Sequence, residues 1–307
     1  MGARIAAVSA LTSHGTRRPT ARQLADAAAR DCLAHAGRQP SDVDLLINTG
    51  VYREDSMGEP ALAALVQQDI GASPGQPATA AHGTFSFDLI NGTCGVTSAI
   101  QIETGLLSSG VIQLGAIVTS DVSPDLRDRQ AAPFRPAAGA MLLSWDDGIA
   151  GFSDFHTETF PEYHDLFASG LVWQDRRERR VPRRAAGRSL MVIDERPGYQ
   201  ARLVDCAEDV TRRFLGRLGM DLADIDLLVP APCAAGFVDP LRVRLGVPGD
   251  RVAYVAEDLA GSYSAGPIAA FQAAVRSGRL GEARNTLLLT AGAGITVAAA
   301  LYCQSPP

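Results

Sequence analysis

Residues 85–107 read FSFDLINGTCGVTSAIQIETGLL. Phe85, Phe87 and Leu89 alternate with polar residues, the two-residue period of a short strand. Asn91-Gly92-Thr93 turns the chain and Cys94 follows. Then Val96, Ala99, Ile100, Ile102 and Leu106 mark a helix built from small and apolar residues. A cysteine at such a junction lies against the unpaired N–H groups of the first helical turn and the positive end of the helix dipole, which favour a thiolate. That makes Cys94 a candidate nucleophile aimed at an acyl group. The alternative from this stretch alone is a buried structural thiol, since free cysteine is among the most buried residue types.

Upstream, residues 3–10 form a candidate first strand, and residues 21–36 have helical period with Leu24, Ala27, Ala28, Cys32 and Leu33 on one face, stopped by Gly37. Residues 43–48 are a continuous apolar run, typical of a strand covered on both faces, and residues 59–70 read as a helix. Downstream, residues 114–119 and 137–144 read as further buried strands. Residues 151–200 break the pattern with His156, Tyr163, His164, Trp173 and the arginine run from Arg176 to Arg188. That run reads as a solvated excursion, or else as a dock for a phosphate or an acidic carrier protein.

The early pattern then returns. CAEDVTRRFLGRLGMDLADIDLLV at residues 206–229 stands beside LADAAARDCLAHAGRQPSDVDLLI at residues 24–47, with Asp226 matching Asp44. Ser277-Gly278 likewise repeats Ser109-Gly110, and residues 285–290 match the strand at 114–119. A repeat at this scale predicts two stacked α/β halves related by a pseudo-twofold axis, not a solenoid. The cysteine helix of one half then packs centrally against its counterpart at 264–276. The domain reading is an N-terminal half, 1–150; an excursion, 151–200; and a C-terminal half, 201–307.

A chain of 307 residues, 46% hydrophobic and 20% charged, has the composition of a globular protein able to build two cores. A net charge of −6 argues against non-specific nucleic-acid binding. All 28 basic residues are arginine, which removes Schiff-base lysine chemistry. The five cysteines show no paired spacing, so a reduced, cytoplasmic protein without structural disulfides is expected. No run spans a bilayer, and the five histidines lack metal-ligand spacing, so neither a membrane role nor a metal site is expected.

The duplication, the cysteine at a buried helix start and the tail Gly292-Ala-Gly-Ile-Thr-Val resemble the thiolase-like superfamily, and within it ketoacyl-(acyl-carrier-protein) synthase III. The resemblance implies a duplicated α/β/α/β/α five-layer fold with two mixed sheets and a buried helix layer between them. It places the acyl-accepting cysteine at Cys94 and the oxyanion hole at the backbone N–H groups of Cys94 and Ala293. It also implies an acyl-CoA or phosphopantetheinyl carrier-protein substrate, no permanently bound cofactor, and a dimer built through the strand beside the nucleophile helix.

Two motif positions depart from the family. Its catalytic histidine falls on Ala231 in Val229-Pro-Ala-Pro-Cys-Ala, and its catalytic asparagine on Gly261, or on Ser262 with a one-residue slip. Neither alanine nor glycine has a side chain that can stabilise the enolate formed on losing carbon dioxide. The expected function is therefore acyl transfer through Cys94, without decarboxylation, in polyketide- or fatty-acid-type specialised metabolism. Two alternatives stand beside it: a ketosynthase drawing a base from His82, His156 or His164, or a non-condensing subunit paired with a homologue. Cys233 reads as a small buried residue. Ser262, Tyr263 and Ser264 are expected to face Cys94.

Overall fold

The apolar alternation along each strand sorts the chain into layers. The computed structural model describes residues 2–13, 19–54, 59–72, 83–122, 135–148, 150–174, 188–231, 236–292 and 294–304. The first half contains β1 (Gly2–Thr12), α1 (Ala21–Ala36), β2 (Leu45–Asn48), α2 (Leu62–Ile70), β3 (Phe85–Asp88), α3 (Gly95–Ser108), β4 (Leu114–Asp121) and β5 (Ala137–Asp146). The remainder contains β6 (Gly151–Thr159), β7 (Phe167–Gln174), β8 (Arg188–Glu195), α4 (Tyr199–Arg217), β9 (Leu227–Pro230), α5 (Val238–Leu245), α6 (Gly266–Arg276), α7 (Arg279–Glu282), β10 (Asn285–Gly292) and β11 (Thr296–Cys303).

On β4, Leu114, Ala116 and Val118 pack with α1 and α2, while Ile117 points the other way into the core of α3 and α6. On β10, Leu287 and Leu289 pack with α4 and α5, while Leu288 joins that same central core. Strands buried on both faces between helices give five layers: α1 and α2, a half-sheet, α3 and α6, a second half-sheet, α4 and α5. The expected architecture is the observed one.

The strand order is β3-β2-β4-β5-β1-β6-β11-β10-β9, so the two half-sheets form one continuous ladder where two separate sheets were expected. Among the described residues they meet through a single β1–β6 pair, Ala3↔Phe152. Glycines permit this crossing: a Cβ on Gly2 would stand 2.8 Å from the Phe152 carbonyl oxygen, and one on Gly151 would stand 2.4 Å from the Gly2 carbonyl carbon.

The repeat is visible residue by residue. Asp44 Oδ2 accepts the backbone N–H groups of Gln113 and Leu114 where β4 begins, at 2.8 and 3.1 Å. Asp226 Oδ2 accepts those of Arg284 and Asn285 where β10 begins, at 2.9 and 3.0 Å. β2 and β9 run parallel to β4 and β10, which pair antiparallel with β5 and β11.

Local signals set the boundaries. Thr20 and Gln23 form a capping box at the start of α1, and Gly37 closes it with φ 62°. The helix expected over 59–70 begins at Leu62, where Asp88 accepts the N–H groups of Leu62 and Ala63. Residues 151–200 do not lie wholly outside the halves. Their β6 is an integral sheet strand pairing with β11, with Phe152 and Phe155 against the central core and His156 stacked on Phe214 of α4. β7 and β8 form a separate hairpin. The arginine run up to Arg184 lies outside the described residues.

Candidate active site

Cys94 ends the turn out of β3 and stands as the N-cap of α3 (φ −78°, ψ −10°). It is fully buried. Its own N–H donates to the Asn91 carbonyl at 3.0 Å, which closes the turn, and the Ser98 hydroxyl donates back to the Cys94 carbonyl at 3.1 Å. The helix start leans on the far half of the molecule. The Thr93 hydroxyl donates to the Ala291 carbonyl, and Thr97 Oγ1 lies 3.0 Å from Thr290 Oγ1, both partners being on β10. The Cys94 thiol donates to the Thr296 carbonyl at 3.4 Å where β11 begins.

Gly292 ends β10 directly beside the sulfur. A Cβ there would stand 3.7 Å from Cys94 Sγ and 3.0 Å from Thr93 Oγ1, so the bare glycine keeps this wall of the site open. Downstream, Gly294 (φ 66°) and Ile295 (φ 28°) make the tight turn into β11.

Burial raises the Cys94 thiol to about 11, and hydrogen bonds involving Thr290, Ala298 and Thr93 only partly oppose it. The resting state is therefore the thiol. This corrects the expectation of a thiolate held by the helix start, because burial opposes the charge that the helix start favours. The S–H···O=C bond to Thr296 also favours the protonated form.

The other site residues read from the sequence are placed unevenly. Ala231 is fully buried just past β9, its N–H donating to the Leu289 carbonyl at 2.8 Å, and it presents a methyl group only. Gly261 has φ 81° and its carbonyl accepts the Arg135 N–H at 2.9 Å. Ser262 is fully buried and its hydroxyl has no hydrogen-bond partner among the described residues, so it does not bond Cys94.

Ser264 turns to the opposite side of the seam, a second correction. Its N–H donates to Asp121 Oδ2 at 2.7 Å, and its hydroxyl bonds Asp121 and Thr119. Tyr263 packs edge-on against Tyr52. The reason is the pseudo-twofold: the start of α6 is hydrogen-bonded to β4 as the start of α3 is to β10, so Ser264 occupies the place of Thr93 and serves the other junction.

Ala293, Cys233, His14 and His82 lie outside the described residues. Of the histidines described, His35 is paired with Asp31 on α1. His156 contacts Glu158 and Arg217 and stacks on Phe214. His164 contacts the Pro161 carbonyl. None of the three is a partner of Cys94. Among the described residues no group of His, Cys, Asp and Glu is arranged to hold a metal.

Sequence reasoning missed Thr97 and Thr290, which bond one another across the junction, and gave Gly292 and Thr296, quoted only as part of the glycine-rich tail, no place beside the sulfur. The signal that finds them is the repeat itself, because β10 matches β4 and each strand end receives the other half's helix.

Comparison with known proteins points one way. Residues 215–303 match the family described as 3-oxoacyl-(acyl-carrier-protein) synthase III, C-terminal. A β-ketoacyl-(acyl-carrier-protein) synthase III of Listeria welshimeri is 27% identical over 279 residues, covering 89% of this chain and 80% of the relative. The solved 3-oxoacyl-(acyl-carrier-protein) synthase III of Aquifex aeolicus superposes with a TM-score of 0.77 at 19% identity, covering 99% of this chain and 100% of that one. The priming β-ketosynthase of the R1128 polyketide pathway gives 0.76 at 23%, covering 100% and 97%.

Proposed function

We propose that this chain, a ketoacyl-(acyl-carrier-protein) synthase III-like protein of the thiolase-like superfamily, takes an acyl group from a CoA or carrier-protein thioester onto Cys94 and passes it on without decarboxylation. The observation that carries this reading is the lopsided site. The sulfur stands at the start of α3 with Gly292 bare beside it, while Ala231 and Gly261 offer no side-chain donor where the resemblance places histidine and asparagine.

In the first half-reaction Cys94 sulfur bonds to the thioester carbonyl carbon, the donor's carbon–sulfur bond breaks, and the thiol proton leaves with the departing thiol. The developing oxyanion is assigned to the N–H groups of Ala293 and Cys94. The Cys94 N–H already donates to the Asn91 carbonyl, so it serves as a shared donor. In the second half-reaction an acceptor hydroxyl, amine, thiol or preformed carbon nucleophile attacks the acyl-cysteine and releases the sulfur.

The polyketide association of the R1128 neighbour supports a place in specialised metabolism. The working form is assigned as a homodimer through the free edge of β3, where Phe85 and Ile90 are 65% and 58% exposed. A cytoplasmic location is the reading that the four free cysteines among the described residues support.

The test has two readouts on the unmodified protein. Intact mass after incubation with acyl-CoA should show one acyl group per chain, absent in Cys94→Ala. Radiolabelled carbon dioxide capture from malonyl carrier protein should stay near background. Release at a rate comparable to acylation replaces this reading with a ketosynthase using another base. An unlabelled Cys94 replaces it with the non-condensing subunit.

A further inference from the structure

We propose that the hydroxyls of Thr296 and Thr159 form a polar subsite beside Cys94 that selects a short acyl group carrying a hydroxyl or oxo substituent on its third carbon. This rests on the acyl-transfer reading and names the class of acyl group that the reading leaves open.

The subsite is a row across the ladder β10-β11-β6, in which Gly292 pairs with Thr296 and Thr296 with Thr159. One face of this ladder is turned to the centre of the molecule. Leu288 of β10 and Ala300 of β11 lie in the core with α3, and Phe155 of β6 packs against it. Side chains alternate along a strand, so Gly292, Thr296 and Thr159, each four residues from one of these, share that face.

Cys94 stands at one end of the row. A Cβ on Gly292 would lie 3.7 Å from its sulfur, and the Thr296 carbonyl accepts the thiol at 3.4 Å. Exposure then rises strand by strand: Gly292 is buried, Thr296 half-buried and Thr159 exposed. The row therefore leads from the nucleophile to solvent.

Thr296 Oγ1 and Thr159 Oγ1 lie 3.0 Å apart, and among the described residues neither hydroxyl has another partner. Two hydroxyls carry two protons and four lone pairs, and their mutual bond uses one of each, which leaves a donor and acceptors for a guest. Adjacent strands lie about 4.8 Å apart. With bonds of about 1.5 Å, a substituent on the third acyl carbon reaches about 5 Å from the sulfur, one strand across, where Thr296 stands. A plain alkyl chain over the same hydroxyls displaces their water without replacing its hydrogen bonds.

The repeat supplies an independent observation. The matching row of the first half is Asp121, Ala137 and Thr12. Ala137 is buried and has no hydroxyl, and the Thr12 hydroxyl donates to the Pro136 carbonyl at 2.8 Å. Of the two rows, only the one beside the cysteine offers a pair of hydroxyls to a guest.

The experiment compares 3-hydroxybutyryl-CoA with butyryl-CoA, which differ by one hydroxyl, in acylation of Cys94 followed by intact mass. A second pair, 2-hydroxyethyl and propyl methanethiosulfonate, reads the same subsite without acyl transfer. There a sulfur–sulfur bond forms on Cys94, methanesulfinate leaves and the thiol proton passes to solvent. Rates for this pair are taken relative to glutathione, and labelling that persists in Cys94→Ala is subtracted. The hydroxylated member of each pair should react about tenfold faster, the size of one net hydrogen bond. Thr296→Val and Thr159→Val should each reduce that ratio to less than about threefold, and Thr296→Ser should keep it. Thermal melts on the same samples identify any loss through unfolding, which slows both members of a pair alike. Equal rates within the pairs on the unmodified protein, or a ratio that both valine variants leave unchanged, overturn the proposal. If neither CoA ester acylates Cys94 while the methanethiosulfonate ratio holds and falls in both valine variants, the acyl-transfer reading falls and the polar subsite stands.

Discussion

At the residue scale, the junction opposite Cys94 shows how a buried carboxylate is made tolerable. Asp121 accepts the N–H groups of Val51 and Tyr52 on one oxygen, at 3.0 and 2.8 Å, and the Ser264 N–H and hydroxyl on the other. Burial raises its carboxyl and these four donors pull it back. Asp121→Asn turns one of those oxygens into an NH2 group facing donors. The Ser264 hydroxyl can rotate to accept, but a backbone N–H is left orphaned. We expect a loss of about 1–3 kcal/mol, read as a lower denaturation midpoint in urea. None of this was legible in the sequence, because Asp121 lies within a buried strand and its partners come from two segments remote from it, Val51-Tyr52 and Ser264. Cys94 was legible, since a strand, a turn and a helix of small residues are local signals. The protonation state of its sulfur was not, because burial depends on the opposite half of the molecule.

At the element scale, α3 carries an unusual passenger. Glu103 lies on the same core-facing stripe as Val96, Ala99, Ile100 and Leu107, fully buried over Gly115 of β4, and neither carboxyl oxygen has a partner among the described residues. Desolvation holds its carboxyl well above the usual glutamate range. A raised carboxyl in the folded protein keeps its proton where the unfolded chain has released one. Stability is therefore full below the unfolded value and falls as pH rises toward the folded one. Glu103→Leu should raise stability by about 1–3 kcal/mol, with a larger gain at pH 8 than at pH 5, measured by urea denaturation at both. An equal gain at both pH values would mean that Glu103 is not protonated in the core. The boundaries of α1 and α3 were readable from period and capping residues. That β6 belongs to the sheet was not, because its polar face reads like a solvated loop.

At the scale of the whole molecule, several carboxyls lean the same way. Asp26 on α1 is buried against Asp69 on α2. Burial and that contact raise it to about 7, against the pull of Arg30 and Arg22. Asp69 is itself lowered, chiefly by its hydrogen bond from Arg22, with Arg30 adding to it. Asp26 and Glu103 both retain protons in the fold that the unfolded chain loses. Global stability should accordingly decline as pH rises from the ordinary carboxylate range to about 7. Unfolding free energies at pH 5, 6, 7 and 8 check this, and Asp26→Asn should flatten the part of the slope below pH 7. A profile rising toward neutrality would mean that the lowered Asp69 outweighs both. The duplication was legible because Asp44 and Asp226 perform the same backbone task in each half. The joining of the half-sheets was not, since it depends on two glycines remote in sequence.

Those two halves start their central helices on nearly the same backbone: Cys94 at φ −78°, ψ −10° and Ala265 at φ −78°, ψ −11°. The chain thus contains its own control. One conformation appears twice, once beside Gly292 and two threonine hydroxyls, and once beside the Asp121 carboxylate with Ile268 behind it. A helix start is common to both, so it cannot be what makes one of them a site. A sulfur in the second place would stand beside the Asp121 carboxyl group, whereas the first stands beside the bare Gly292. What distinguishes the two is the handful of side chains contributed by the opposite half, and duplication left each half free to supply a different set.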